Sequence, residues 1–156
     1  MALKSDRYEL QTDISFFYNA GTATRGGVVV HDTTAGSGAA MDQGVNLVKY
    51  AAVTAASRPV GILLNDVVNK DLTRTHLNQY KDEVQKGGKV TVLRKGYVVT
   101  NNITGTPVAG DAAYACHVNA GNLRPDSPGS SGVLQVGRFL TSKDADGYAK
   151  VEVNLP

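Results

Sequence analysis

Few residues in this 156-residue chain have side chains that could carry out chemistry. The histidines are His31, His76 and His117, and the single cysteine, Cys116, stands directly before His117. Neighbouring residues on a strand point to opposite faces, so we do not expect Cys116 and His117 to bind one ion. Because no CxxC or HExxH spacing occurs either, the sequence predicts no metal site and no cofactor.

A nucleophilic site is the remaining catalytic alternative. Cys116 could act with the distant His31 or His76 only if the fold brought them together, and residues 129–132 lack the G-x-S-x-G spacing. A small cysteine on a strand is more often a buried apolar residue than a reactive one. We therefore predict that the chain is not an enzyme. The alternative is a hydrolase with a site around Cys116, His117 or His31.

An acidic turn near the C-terminus resembles the start of a calcium-binding loop. Asp144, Asp146 and Gly147 have the right types, but the remaining ligands of that pattern are missing, since Lys150 and Glu152 fall on a predicted strand. The residues are typical of a tight turn in which aspartate and glycine supply the backbone geometry.

Composition excludes several classes of protein. Charged residues make up 19% of the chain, the net charge is +2, and no basic run is longer than Arg94-Lys95, so no basic stripe for nucleic acid is present. No apolar run approaches the roughly 20 residues of a membrane helix. One cysteine and no N-terminal signal pattern favour synthesis in a reducing cytoplasm.

Short apolar runs separated by glycine-rich turns indicate strands. The run at 60–64 is apolar on both faces, Lys95-Gly96 is predicted to be a turn, Gly137 is predicted to mark a bulge, and residues 148–155 alternate strictly. The fold class is therefore all-β, mainly antiparallel, and a β-sandwich or β-barrel. The predicted strands cover 28–31, 45–50, 60–64, 90–94, 97–100, 113–118, 133–139 and 148–155.

The first 25 residues are predicted to form an N-terminal arm ahead of a single β domain at 26–156. They carry the aromatic cluster Phe16, Phe17 and Tyr18. Three consecutive aromatic residues cannot all face one side of a strand. Either two enter the domain's own core and one stays half-exposed, or the arm extends and docks on a neighbouring subunit.

A polar segment at 66–88 is predicted to be one long surface loop, with a short helix as the alternative. A loop of this length in a compact domain is usually functional. Aromatic and arginine side chains are the usual anchors of protein interfaces. We therefore take four loop residues, together with the aromatic cluster of the arm, as candidate contacts with a capsid or with a second subunit: Arg74, His76, Asn78 and Tyr80.

Several short motifs resemble the head decoration, or cement, proteins of tailed bacteriophages. They are RTHLN at 74–78, KDEV at 81–84 and GKVTVLRKGYVVTN at 88–101. RPVGIL at 58–63 also fits, and four further motifs follow in the order shown by that family: GDAAY at 110–114, GNL at 121–123, VGRFL at 136–140 and GYAKVEV at 147–153. The resemblance covers residues 58–155 and rests on glycine and apolar spacing.

The resemblance implies a non-enzymatic β domain that binds the outside of the capsid and bridges neighbouring major capsid proteins. The expected partners are the major capsid protein and the chain itself, as a homotrimer or alternatively a dimer, with no nucleic acid and no membrane. The expected location is the outer capsid surface of the virion after synthesis in the host cytoplasm. A receptor- or glycan-binding fibre or tail domain is the alternative, although the chain has no Trp to stack on sugars.

Overall fold

A computed structural model describes residues 3–21, 23–33, 46–54, 56–66, 83–84, 86–126 and 134–156. Among these residues the secondary structure is entirely β, which confirms the predicted fold class. No helix in these ranges is long and apolar enough to cross a membrane. The strands are β1 (Tyr8–Tyr18), β2 (Ala23–Thr24), β3 (Val28–His31), β4 (Leu47–Lys49), β5 (Pro59–Asp66), β6 (Glu83–Val84), β7 (Lys89–Thr100), β8 (Ala112–Ala115), β9 (Leu123–Arg124), β10 (Gln135–Phe139) and β11 (Ala149–Asn154).

Five of these strands close into a circle of hydrogen-bonded pairs, here called the first ring. β1 pairs in parallel with β4, and antiparallel pairs then lead from β4 through β3 and β5 to β7. The circle closes because β7 pairs antiparallel with β1 along nearly its whole length. Such closure leaves fewer exposed sheet edges than an open sheet does.

The remaining strands of the large sheet form a second ring that shares β7. Antiparallel pairs lead from the C-terminal half of β7 to β11, β10, β8 and β9. The chain just after β7 then returns to β9, where Ile103 bridges Leu123 in parallel and the Thr104 N–H donates to the Leu123 carbonyl at 2.8 Å. β7 is therefore the strand on which both rings depend.

Apolar side chains fill two cores, which lie on opposite faces of β3, β5 and β7. Val60 and Leu63 of β5 point into the first core, whereas Ile62 and Leu64 point into the second. This confirms that the apolar run at 60–64 is buried on both faces. The first core contains Tyr18, Val29, Val48, Val60, Leu63, Val90 and Val92, and the second contains Leu3, Ile62, Leu64, Leu93, Val98, Val136, Phe139, Val151 and Val153 among others.

The C-terminal strand follows its sequence pattern. In β11, Ala149, Val151 and Val153 are at most 1% exposed, whereas Glu152 and Asn154 face outward. Strict alternation produces this arrangement because successive side chains of a strand point to opposite faces. In the neighbouring β10 the register against β8 shifts between Gln135 and Gly137, which confirms the predicted bulge.

The predicted turn at Lys95-Gly96 was wrong, because β7 runs through it as one strand of 12 residues. Gly96 has a φ of +140°, which bends the strand without reversing it. Near this bend one edge of β7 changes partner, from β5 at Val90–Leu93 to β11 at Lys95–Thr100, while β1 pairs with the other edge from Lys89 to Tyr97. Gly96 does mark a change in the direction of the chain, but whether that change is a bend or a full reversal depends on pairing with other strands.

Tyr50 joins the two rings beyond β4. Its hydroxyl accepts the Gly27 N–H at 2.9 Å and donates to the Thr24 carbonyl at 2.6 Å, while its ring lies edge-on to Tyr18. A Cβ added at Gly121 would lie 2.9 Å from this ring, so only glycine leaves room for it. Burial raises the pKa of Tyr50, so the hydroxyl stays protonated and able to donate.

Replacing Tyr50 with phenylalanine should lower stability, because the Gly27 N–H and the Thr24 carbonyl lose their partner. Leaving such groups unsatisfied costs about 1–3 kcal/mol, which we expect to see as a fall of several degrees in melting temperature by calorimetry. Tyr114→Phe is the matched control, since the Tyr114 hydroxyl makes no hydrogen bond among the described residues. Equal melting temperatures for the two variants would contradict this role of Tyr50.

Candidate docking surface

Among the residues that the structure describes, those with potential for nucleophilic chemistry do not form an open site, and His76 lies outside them. Cys116 is 1% exposed, and its Sγ accepts the N–H groups of Asn119 at 3.4 Å and Val118 at 3.5 Å. Burial opposes ionisation of this thiol, but the two N–H groups, the Thr104 side chain and the charge of Arg124 together lower the pKa of Cys116. His117 points outward to Arg124, 2.8 Å from its Nδ1. Cys116 is thus held inside its own turn, where a substrate cannot reach it.

The acidic turn is a backbone turn, as its sequence predicts. One oxygen of Asp144 accepts the N–H groups of Tyr148 at 2.8 Å and Asp146 at 3.0 Å, and Gly147 has a φ of +83°. The other oxygen accepts the Lys4 ammonium at 3.0 Å. Both carboxylate oxygens of Asp144 are therefore engaged within the protein.

The aromatic cluster of the predicted arm lies at the end of β1, against the chain's own sheet. Tyr18 is 2% exposed and belongs to the first core. Phe16 is half-buried and packs edge-on to His31 at 5.5 Å, and Phe17 is half-buried opposite Leu47 on β4. In this single chain Tyr18 is thus a core residue, while Phe16 and Phe17 keep part of their surface available.

The four candidate contacts in the long loop, Arg74, His76, Asn78 and Tyr80, lie outside the described residues. They stay predictions, as does the domain boundary between residues 25 and 26. The candidate surface is therefore built from β1 and the strands beside it.

Residues ahead of β1 are tied down at several points. Leu3 is 2% exposed and bridges Thr100 at the end of β7, and the Lys4 N–H donates to the Val99 carbonyl at 2.9 Å. The Lys4 ammonium also lies 4.3 Å from the centre of the Tyr148 ring. The chain is thus anchored before β1 by Leu3 and at the end of β1 by Tyr18.

The Lys4–Asp144 tether should depend on pH at the acid end. The Tyr148 N–H, followed by the Lys4 ammonium, holds the pKa of Asp144 below its usual value of 3.8. The stabilisation is therefore present above that usual pKa and is lost as pH falls through the lower pKa of the folded chain. In an NMR titration, Lys4→Met should raise the pKa of Asp144 toward its usual value. The remote Lys86→Met should leave it unchanged, and an unchanged pKa in Lys4→Met would contradict the tether.

The outward side of β1 carries large apolar side chains, here called the β1 strip: Tyr8, Leu10 and Ile14. They are 53%, 66% and 52% exposed. Two of the three irregularities in the pairing of β1 with β7 account for the positions of Leu10 and Ile14. Leu10 has no partner between the pairs Glu9–Gly96 and Gln11–Lys95, and Ile14 falls in the shift between Asp13–Val92 and Phe16–Val90. Bulges of this kind re-aim side chains and occur often beside functional sites.

Beside the strip lies a groove of about 530 Å³ in the outward face of β1, β7 and β11. Gly96 lies between side walls formed by Tyr8 and Leu10 on one side and by Glu152 on the other, and Leu140, 39% exposed, adds a further apolar wall. The Tyr8 and Tyr97 rings lie 6.0 Å apart, and the Lys150 ammonium covers Tyr97 at 3.8 Å. The arrangement is an apolar depression with a polar rim, which suits contact with another protein.

Sequence reasoning missed the β1 strip. The signal was present, because Tyr8, Leu10 and Ile14 alternate with polar residues. That alternation indicates a strand, but on its own it would have placed the apolar face in a core. Only their exposure in the folded chain, with the irregular register against β7, shows that these side chains face outward.

Comparison with known proteins covers almost the whole chain. The family model described as structural cement protein (E217 gp24/Pam3 gp6) matches residues 7–154. No curated protein matches the chain. The family match starts one residue before β1 and ends at the last residue of β11, so it includes both rings and the β1 strip. The chain therefore belongs to the family of phage structural cement proteins and is a structural protein of the virion.

Proposed function

We propose that this protein binds the outer surface of the phage capsid and stabilises the shell by bridging neighbouring major capsid proteins, without catalysing a reaction. The family match over residues 7–154 is the observation that carries this proposal. The buried Cys116 and the internally engaged Asp144 are consistent with a role that needs no active site.

A double ring of strands suits the mechanical task. Both rings share β7, so a load applied to the β1 side is carried by hydrogen bonds and packed apolar side chains through to β11. When copies are linked in an oligomer, their contacts with a symmetric shell add up, so that modest affinity at each site gives near-permanent attachment. Rigidity in each copy keeps those contacts in register.

We further propose that the chain assembles as a homotrimer at threefold or quasi-threefold positions of the capsid, with a dimer as the alternative. Synthesis in the host cytoplasm would precede attachment to the head. The mass of the purified chain by sedimentation distinguishes a trimer, a dimer and a monomer. A strict monomer would leave assembly on the capsid as the only form of association.

The proposed function is tested by adding the purified chain to undecorated heads. Heads that take up the chain should release DNA at a higher temperature than heads without it, because bridging contacts must break before the shell opens. Heat-denatured chain serves as the control for non-specific adsorption. The proposal fails if heads take up no native chain, or take it up without any gain in heat resistance.

A further inference from the structure

The course of β1 is set by local features of the sequence. Gly96 allows β1 to approach β7 closely, because a Cβ at this position would lie 1.9 Å from the Tyr8 carbonyl oxygen. Farther along, the Asp13 carboxylate accepts the backbone N–H of Ser15 at 2.8 Å and the Ser15 hydroxyl at 2.5 Å, within the irregularity between Asp13 and Phe16. Leu10 and Ile14 thus face outward from irregularities that the chain stabilises, so their exposure is part of the fold.

The exposed apolar side chains around the groove are grouped in one place and are not scattered over the surface. Tyr8 and Leu10 form one patch because they line the same groove as Leu140 and Tyr97, whereas Ile14 is exposed outside the groove, four residues farther along the strand. Scattered apolar side chains on a surface need no explanation, whereas a contiguous apolar patch beside a groove marks a contact site. The β1 strip and its groove are therefore a surface built for a partner.

The size of the surface indicates which partner. Four or five partly exposed side chains offer a few hundred Å² at most, whereas a stable pair of proteins buries roughly 800 Å² on each side. The strip alone is too small to hold a second copy of the chain in solution. It is large enough for a contact that linked copies, such as those of the proposed trimer, make at the same time on an assembled shell, because linked contacts reinforce one another.

The charges around the groove support an apolar contact. Lys95 and Glu152 both line it and have opposite charges, and the Lys150 ammonium is paired with Asp6 at 3.6 Å. Because these positive and negative charges balance, the groove has no net charge that would attract a strongly charged partner. An apolar contact also weakens little as salt is added, in contrast with surface ion pairs.

We infer that the β1 strip, with the groove beside it, is the capsid-facing contact of this protein and receives apolar side chains of the major capsid protein. This inference rests on the proposed function. It also assigns the contact to residues outside the aromatic cluster and the long loop. Each contact is weak alone, so binding depends on the assembled lattice and changes little with salt.

The test compares two double variants for uptake by undecorated heads. Leu10→Ser with Ile14→Ser removes two of the three apolar side chains of the strip. Val108→Ser with Val118→Ser is the matched control, since those valines are 60% and 66% exposed elsewhere on the surface. We expect the strip variant to bind heads at least tenfold more weakly, the control to stay within twofold of wild type, and both to keep the wild-type melting temperature. Leu10→Lys alone is the second strip variant should the double one fold poorly.

The outcomes separate this inference from the proposed function. Wild-type chain that does not bind heads overturns the proposed function and the inference with it. Wild-type chain that binds, together with a strip variant that binds equally well, overturns the inference alone. A strip variant that loses self-association but keeps head binding assigns the strip to a second copy and also overturns it. Wild-type binding to heads that weakens strongly in added salt would contradict the apolar character of the contact.

Discussion

Deleting residues 1–18 is expected to unfold the protein. This deletion removes β1, so the first ring opens and β7 loses the partner that follows it from Lys89 to Tyr97. It also removes Leu3 and Tyr18, each 2% exposed, from the two cores. Truncating one buried large side chain costs about 2–5 kcal/mol, and a domain of this kind is stable by only about 5–15 kcal/mol. The loss should therefore exceed the stability of the whole domain.

Circular dichroism with thermal melting measures this directly. The truncated chain should lack a cooperative transition, whereas a chain lacking only residues 1 and 2 should melt like wild type. A truncated chain that keeps its strand signal and a sharp transition would show the opposite: residues 1–18 would then be an arm of the kind expected from sequence, free to dock on a neighbour.

Replacing Gly96 with alanine should destabilise the protein strongly, and more than the same replacement at Gly147 or Gly21. Alanine rarely adopts a φ of +140°, and its Cβ would overlap the Tyr8 carbonyl oxygen, a backbone atom that cannot rotate away. A strained backbone and an overpacked contact each cost about 1–3 kcal/mol, so we expect a loss of about 3 kcal/mol or more. A shift of roughly 2–4 °C per kcal/mol at this chain length would lower the melting temperature by about 10 °C.

Two other glycines separate the causes of this effect. Gly147 has a φ of +83° but open space around its Cβ position, so Gly147→Ala should show the backbone cost alone, about 1–2 kcal/mol. Gly21 has open space and no positive φ, so Gly21→Ala should be close to neutral. Denaturant unfolding of the three variants should give the order Gly96, Gly147, Gly21. If Gly96→Ala is no worse than Gly147→Ala, β1 does not approach β7 as closely as described.

Much of the second ring was predictable from sequence because its strands follow simple patterns. β11 alternates without interruption, and the Gly137 bulge was marked by a glycine inside an apolar run. In the first ring only β5 was equally plain, since its uninterrupted apolar run at 60–64 predicted burial on both faces. In each case a local pattern and its tertiary environment agree.

The first ring was harder to predict because its construction is non-local. β1 is held by pairing with β7 some 80 residues later, and it pairs in parallel with the three-residue β4. Its irregular register also places Leu10 and Ile14 outside, where an alternating pattern predicts a core face. Lys95-Gly96 was predicted to be a turn because the neighbouring residues alone do not show that β1 pairs with β7 on both sides of Gly96. The predicted contact residues at 74–80 lie outside the described residues.

The central claim is that the protein acts as a cement on the outside of the phage head. The most direct measurement is an electron cryomicroscopy reconstruction of heads incubated with the purified chain. We expect added density on the outer surface, spanning the junction between neighbouring capsid proteins, with the β1 strip turned toward the shell. Density confined to the interior or the tail, or heads indistinguishable from undecorated ones, would contradict the claim.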